Sequence, residues 1–137
     1  MKRLTVLLVI LVFFTGCPGL QLTETQTFVT KKLSRSAGIS FAIEQPEDIE
    51  KALQYIEQIE SIKDDSVRQA AIAFGIKYIY KKYGKTTKTA LLIAELLDTI
   101  NFVIPEKQGD IVQTINIDTK IINLVVKSFK EGIILAK

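Results

Sequence analysis

The sequence predicts an all-α fold, a small bundle of four or five helices, on three observations. Apolar residues recur at spacings of three and four through most of the chain beyond residue 30, the period of one helical face. Helix breakers and caps fall between these runs, at Pro46, at Asp64-Asp65-Ser66, at Gly84 and in the turn Pro105 to Asp110. The one stretch with partial alternation, Val112, Ile115 and Ile117 with Thr114, has no hairpin partner nearby.

The chain opens on MKRLTVLLVILVFFTGC. Lys2 and Arg3 make a positive head, Leu4 to Phe14 is apolar except for Thr5, and the small residues Thr15 and Gly16 follow. This is the layout of an export signal, and the apolar run is short of the roughly 20 residues that span a membrane. Phe14-Thr15-Gly16-Cys17 resembles the lipobox of bacterial lipoprotein precursors, although the class usually has Leu where this chain has Phe14. The resemblance covers residues 1–17 only. It implies that a lipid is joined to the Cys17 thiol, that residues 1–16 are removed, and that Cys17 becomes the acylated first residue. Cys17 is the only cysteine, so acylation also removes an unpaired thiol from an exported chain. Two or more acyl chains hold a protein on a membrane far longer than one.

Pro18 and Gly19 cannot start a stable helix, and Gln21 to Thr30 is mostly Gln, Thr and Glu. Residues 17–30 are therefore expected to be the lipidated cysteine and a flexible tether, with residues 31–137 as one helical domain. Lys31 to Glu44 carries Leu33, Ala37 and Phe41 on one face, with Ile43 a further candidate for it, interrupted by Gly38. Pro46 suits a first helical turn, and Glu47, Asp48 and Glu50 complement a helix N-terminus. From there Ile49, Ala52, Leu53, Ile56, Ile59 and Ile62 form the cleanest amphipathic stripe in the chain.

Val67 to Tyr83 is apolar on nearly all sides, ends in three lysines and is followed by Gly84, which predicts a central helix with a glycine stop. Thr86 or Thr87 caps the next run, Lys88 to Ile104, in which Lys88, Glu95, Asp98 and Asn101 make one polar stripe. Its internal charges argue against a membrane span. Ile111 to Leu135 reads as the last helix through Ile111, Ile115, Ile122, Val125, Val126, Phe129 and Ile133, although residues 111–118 also have strand character.

The absence of histidine removes Ser-His and Cys-His nucleophilic machinery and imidazole metal sites. No glycine loop is built to cradle phosphate. Lys2 and Arg3 supply much of the net charge of +3, and from Cys17 onward 16 basic residues face 15 acidic ones. Nucleic-acid binding therefore lacks its electrostatic footing. Glu57, Glu60, Asp64 and Asp65 are the densest carboxylates, with Glu95 and Asp98 next. Solvated faces and helix caps explain both groups better than a cation site or an acid/base pair. Lys77, Lys81, Lys82, Lys85 and Lys88, interleaved with Tyr78, Tyr80 and Tyr83, form the one basic cluster and the candidate interaction patch.

The expected protein is thus a non-enzymatic lipoprotein of the bacterial envelope, membrane-anchored at Cys17, that works by contact with an envelope protein and uses no cofactor or metal. The outer membrane's periplasmic face is the expected site in a diderm host, and the plasma membrane exterior in a monoderm one. The alternative is a bundle that binds an apolar or lipid ligand around Phe74, Tyr78, Leu92 and Leu96. Glycan hydrolysis by Glu57 and Glu95 ranks below both.

Overall fold

A computed structural model describes residues 23–104 and 118–137. Among the described residues the protein is all-α, with five helices and no strand. They are α1 Glu24–Glu44, α2 Ile49–Ser61, α3 Asp65–Tyr83, α4 Lys88–Thr99 and α5 Thr119–Ala136. Cys17 with its lipobox, the turn after Pro105 and the ambiguous stretch 111–117 lie outside the described residues.

The first helix begins earlier than the sequence suggests. Residues 24–30, expected as tether, are helical, because Thr23 and Gln26 form a reciprocal capping box. The Gln26 N–H donates to the Thr23 hydroxyl at 3.2 Å, and the Thr23 N–H donates to Gln26 Oε1 at 3.0 Å. The polar composition of this stretch is that of exposed first turns: residues 24–29 face solvent and burial starts at Thr30.

The central position also differs. It belongs to α1, whose buried seam of Thr30, Ser34, Ala37, Gly38 and Phe41 lies against α5 and α4. Helices α1 and α5 run in the same direction in backbone contact at Gly38 and Gly132. A Cβ on Gly38 would fall inside the Phe129 carbonyl oxygen, and one on Gly132 would lie 2.9 Å from the Ile39 nitrogen. The Ser34 hydroxyl donates to the Val125 carbonyl at 2.6 Å across the same seam, and Arg35 pairs with Glu131 at 2.9 Å. Helix α4 runs antiparallel to α1: Glu44 reaches its N-terminus, and Leu33 packs near its C-terminal end.

Helix α3, expected at the centre, is peripheral. Only Gln69 and Ala73 are buried in it, while Phe74 is 60% and Tyr78 51% exposed. It folds back on α2 as an antiparallel hairpin, tied by Tyr55 OH to the Ala71 carbonyl at 2.5 Å, with the Tyr55 ring lying on Gly75. Arg68 donates to the Ile62 carbonyl within the hairpin connection and to Asn123 Oδ1 on α5 at 2.7 Å. An apolar girdle does not itself place a helix at the centre. Small residues alone do not decide it either, since α3 has Ala70, Ala71, Ala73 and Gly75; α1 takes the centre because its Gly38 and the Gly132 of α5 let the two backbones touch.

Caps fix the other boundaries. Pro46–Asp48 forms a single 3-10 turn, Asp64 caps α3 by accepting from the Val67 N–H at 3.0 Å, and Thr87 caps α4 through the Ala90 N–H at 3.2 Å. Helix α4 stops at Thr99 and not at Ile104. Asn101 takes a left-handed φ of 53°, and the Asn101 and Phe102 N–H groups return to the Asp98 and Leu97 carbonyls, a Schellman stop. The two core clusters that result are Phe41, Ile49, Ile56, Ile59, Val126 and Ile133 with their neighbours, and Ala73, Leu96, Ile100, Phe102, Ile121 and Ile122.

The crossing makes a direct prediction. Gly38→Ala and Gly132→Ala should each lower stability by about 1–3 kcal/mol through overpacking, whereas Ser36→Ala, on the exposed side of α1, should stay within about 0.5 kcal/mol. Urea unfolding followed by circular dichroism reads this, and unchanged midpoints for both glycine variants would refute the contact.

Candidate ligand cavity

Between the two core clusters lies a cavity of about 350 Å³ with almost wholly apolar walls. Helix α2 contributes Ala52, Tyr55, Ile56 and Ile59, and α3 contributes Ile72, Phe74, Gly75, Ile76, Tyr78, Ile79 and Tyr83. The opposite wall is Ile93, Leu96, Leu97 and Ile100 of α4 with Phe102, and Ile122, Val125, Val126 and Phe129 of α5. Phe41 of α1 closes the side towards the first cluster. Each core cluster is packed in itself, but the hairpin of α2 and α3 does not press them together, so a gap persists where α3 is thinnest in buried contacts. Its exposed Phe74 and Tyr78 mark the opening to solvent. Of the four residues that the sequence suggests for an apolar site, Phe74, Tyr78 and Leu96 line this cavity and Leu92 does not.

One end of the cavity is polar, and Asp48 organises it. Its side chain is only 8% exposed, yet it caps no helix. Instead it accepts from Lys82 Nζ at 2.6 Å and from the Tyr83 hydroxyl, while Lys51 Nζ lies 3.6 Å away. The ammonium of Lys82, with Tyr83 and Lys51, holds the Asp48 carboxyl below the usual carboxylate range. The Asp48 hydrogen bond in turn raises Lys82 above the ordinary lysine range. Burial, assisted by Asp48, pushes the Tyr83 hydroxyl up to about 12. The Lys82 ammonium also lies 5.7 Å from the Tyr78 ring centre and 5.1 Å from that of Tyr83, an attraction to the ring faces.

This splits the lysine cluster. Lys81, Lys82, Lys85 and Lys88 are exposed and Lys77 is half-buried, but Lys82 alone of them is tied to Asp48 of the cavity lining. Sequence reasoning placed Asp48 only as a helix-terminal charge. Asp48 is flanked by Glu47 and Glu50, so nothing in the local sequence singles it out from its acidic neighbours.

The other candidates do structural work. Glu60 pairs with Lys130 at 2.8 Å, raising that lysine's pKa, and Asp65 accepts from the Thr119 hydroxyl at 2.6 Å. Asp64 is the α3 cap described above, and Glu57, Glu95 and Asp98 are exposed. Glu44 accepts from both the Thr89 N–H, at 2.9 Å, and its hydroxyl, at 2.8 Å, bringing a carboxylate to the positive end of α4. Among the described residues no group of three or more His, Cys, Asp or Glu side chains is placed to hold a metal ion, and no helix is long and apolar enough to cross a membrane. A second recess, lined by Ile59, Val126 and Ile134 with Glu60, Arg68, Asn123, Lys130 and Glu131, has those polar residues engaged in the ties already described. Comparison with protein-family models, with curated proteins and with solved structures gives no match.

The Asp48 cluster has a defined pH dependence. A carboxylate with a lowered folded-state pKa contributes stability that is complete above its unfolded value, about 3.9, and is lost as pH falls through the lower folded value. The raised Lys82 contributes below its unfolded value, about 10.4, and loses that contribution as pH rises beyond it. Asp48→Asn should therefore lower the melting temperature across the neutral range and flatten the losses at both extremes. A melting profile against pH that overlays the wild type would refute the cluster's role.

Proposed function

We propose that the protein is a non-enzymatic binding module of the bacterial envelope, membrane-anchored at Cys17, that holds one apolar molecule in its bundle interior. The cavity carries this reading. At about 350 Å³ it falls in the lower part of the range of small-molecule sites, roughly 300–1,000 Å³, and it has their composition of apolar walls with a few convergent polar groups. Each buried methylene of a guest contributes about 0.8 kcal/mol, so a modest chain offsets the cost of its own ordering. An anchor at Cys17 would keep the opening near a bilayer, the natural reservoir of apolar molecules. An envelope protein that delivers or receives the guest would meet Lys81, Lys85 and Lys88, the exposed lysines of the expected interaction patch that are not tied to Asp48.

Two measurements test this. Native mass spectrometry of the intact chain, released from detergent in the gas phase, should show a copurifying apolar ligand. Ala52→Phe, which fills the cavity from α2, should lose that ligand while keeping its helical circular dichroism. No ligand on the wild type, or full retention on the filled variant, would overturn the proposal. For the anchor, the membrane-extracted protein should have the mass of residues 17–137 plus acyl groups, and Cys17→Ser should lack them. An unmodified full-length mass would remove the anchor from the reading.

A further inference from the structure

The cavity is polarised, and its polarity selects among apolar guests. We propose that the occupant is a single-chain fatty carboxylate, with its tail between the two core clusters and its head at the Lys51, Lys82 and Tyr83 end. This rests on the cavity being a binding site, and it goes further by assigning the head group.

The lining is asymmetric. Asp48, Lys51 and Tyr83 stand at the end where α1 finishes and α2 begins, whereas Phe102 and Ile122, at the other end, offer nothing polar from their side chains. Of the charged residues at this end, Asp48 and Lys51 line the cavity, and Lys82, which does not line it, pairs with Asp48, so Lys51 is the lining cation without a hydrogen-bonded partner. Glu47 and Glu50, adjacent in sequence, are exposed and do not line the cavity. Asp48 is already engaged by Lys82 and Tyr83, so it has little to offer a ligand's donor. Lys51 is different. Its side chain is 79% exposed, and at 3.6 Å from Asp48 it is too distant for a hydrogen bond, so its three donors remain for an anion.

Lys82 is 37% exposed and has further N–H groups beyond the one given to Asp48. A monoanion seated beside Lys51 would pair with its ammonium. A neutral alcohol or hydrocarbon would gain nothing from that charge, and a cationic head would oppose it. The volume sets the rest of the chemistry. A cavity near the bottom of the small-molecule range suits one slim chain better than the two chains of a glycerolipid. A carboxylate joined directly to its alkyl chain fits without a glycerol unit.

The test uses the full chain in lipid nanodiscs and three photoactivatable probes of equal tail length, a diazirine fatty acid, the matching fatty alcohol and a lysophospholipid. Peptide mapping locates the adducts. The fatty acid should label interior residues such as Ile79 and Leu96 more strongly than the other two probes. Lys51→Glu should cut that labelling severalfold without changing labelling by the alcohol, and Lys51→Arg should preserve it. Lys51 lies 3.6 Å from Asp48, so the unchanged labelling by the alcohol is the control that this end of the cavity is intact in the variants. Equal labelling by acid and alcohol, or indifference to Lys51→Glu, would overturn the assigned head group and leave the apolar cavity standing. Stronger labelling by the lysophospholipid would overturn the fatty carboxylate in favour of a phosphate head. No interior labelling by any probe would overturn both this inference and the cavity's function.

Discussion

At Gly38 and Gly132 two helices approach so closely that backbone packs on backbone, and the arrangement of every other element follows from this. The contact is built from a repeated local pattern. Ser34 and Gly38 lie four apart on α1, Ser128 and Gly132 lie four apart on α5, and all four are buried. Side chains this small allow dispersion contacts and weak Cα–H···O bonds between backbones, and the Ser34 hydroxyl satisfies itself on a carbonyl of the facing helix. With the central pair so thin, most of the bulky apolar residues of α2, α3 and α4 lie outside it. They gather into two clusters and not one, and the space between the clusters is the cavity.

The wall that closes this space is held at its ends and loosely in between. Near its start, α3 is fixed by Asp65 to Thr119 and by Arg68 to Asn123. Near its finish, Lys82 and Tyr83 lie on Asp48, and between them Tyr55 grips the Ala71 carbonyl. These are polar ties, directional and local. Only Gln69 and Ala73 of α3 are buried, with Ala71, Ile72, Ile79 and Tyr83 partly buried against the clusters, so much of this wall of the cavity is exposed. Its exposed aromatics then have a physical account, since they border an opening and are not misplaced core residues.

Much of this was legible in the sequence because it depends on local rules. The amphipathic stripe of α2 and the stop at Gly84 follow from spacing and side-chain chemistry alone, and the caps of α3 and α4 are narrowed to Asp64-Asp65-Ser66 and to Thr86 or Thr87, of which the structure uses Asp64 and Thr87. The rank order of burial was not legible, because hydropathy favours Val67 to Tyr83 and penalises a helix containing Ser34, Gly38 and Ser40. Whether a glycine marks weakness or close approach depends on the helix opposite, and Gly132 lies 94 residues further along the chain. The end of α4 failed for a related reason. Asn101 suits a polar stripe and a left-handed stop equally well, and Phe102 decides the matter by turning back onto the core. Of the site, the aromatic and aliphatic lining was partly visible. The Asp48 cluster was not, since it joins residues 34 and 35 positions apart.

The polar end and the apolar cavity are best understood together. Without a guest, the cavity lining forfeits the dispersion contacts that a packed core would give, and water entering it finds hydrogen-bond partners chiefly near Asp48. An apolar guest restores those contacts and, by linkage, stabilises the folded state in proportion to the logarithm of its occupancy. The buried Asp48 matters here because removing a carboxylate from water is costly unless its partners are in place. Lys82 and Tyr83 supply those partners from α3, so the interaction that makes burial of Asp48 tolerable also holds the C-terminal end of the cavity wall. Loss of that interaction would free the C-terminal end of the wall, with the ties of Asp65, Arg68 and Tyr55 still in place. A head group that competes for Lys82 would act on the closure of the cavity as well as on its own affinity.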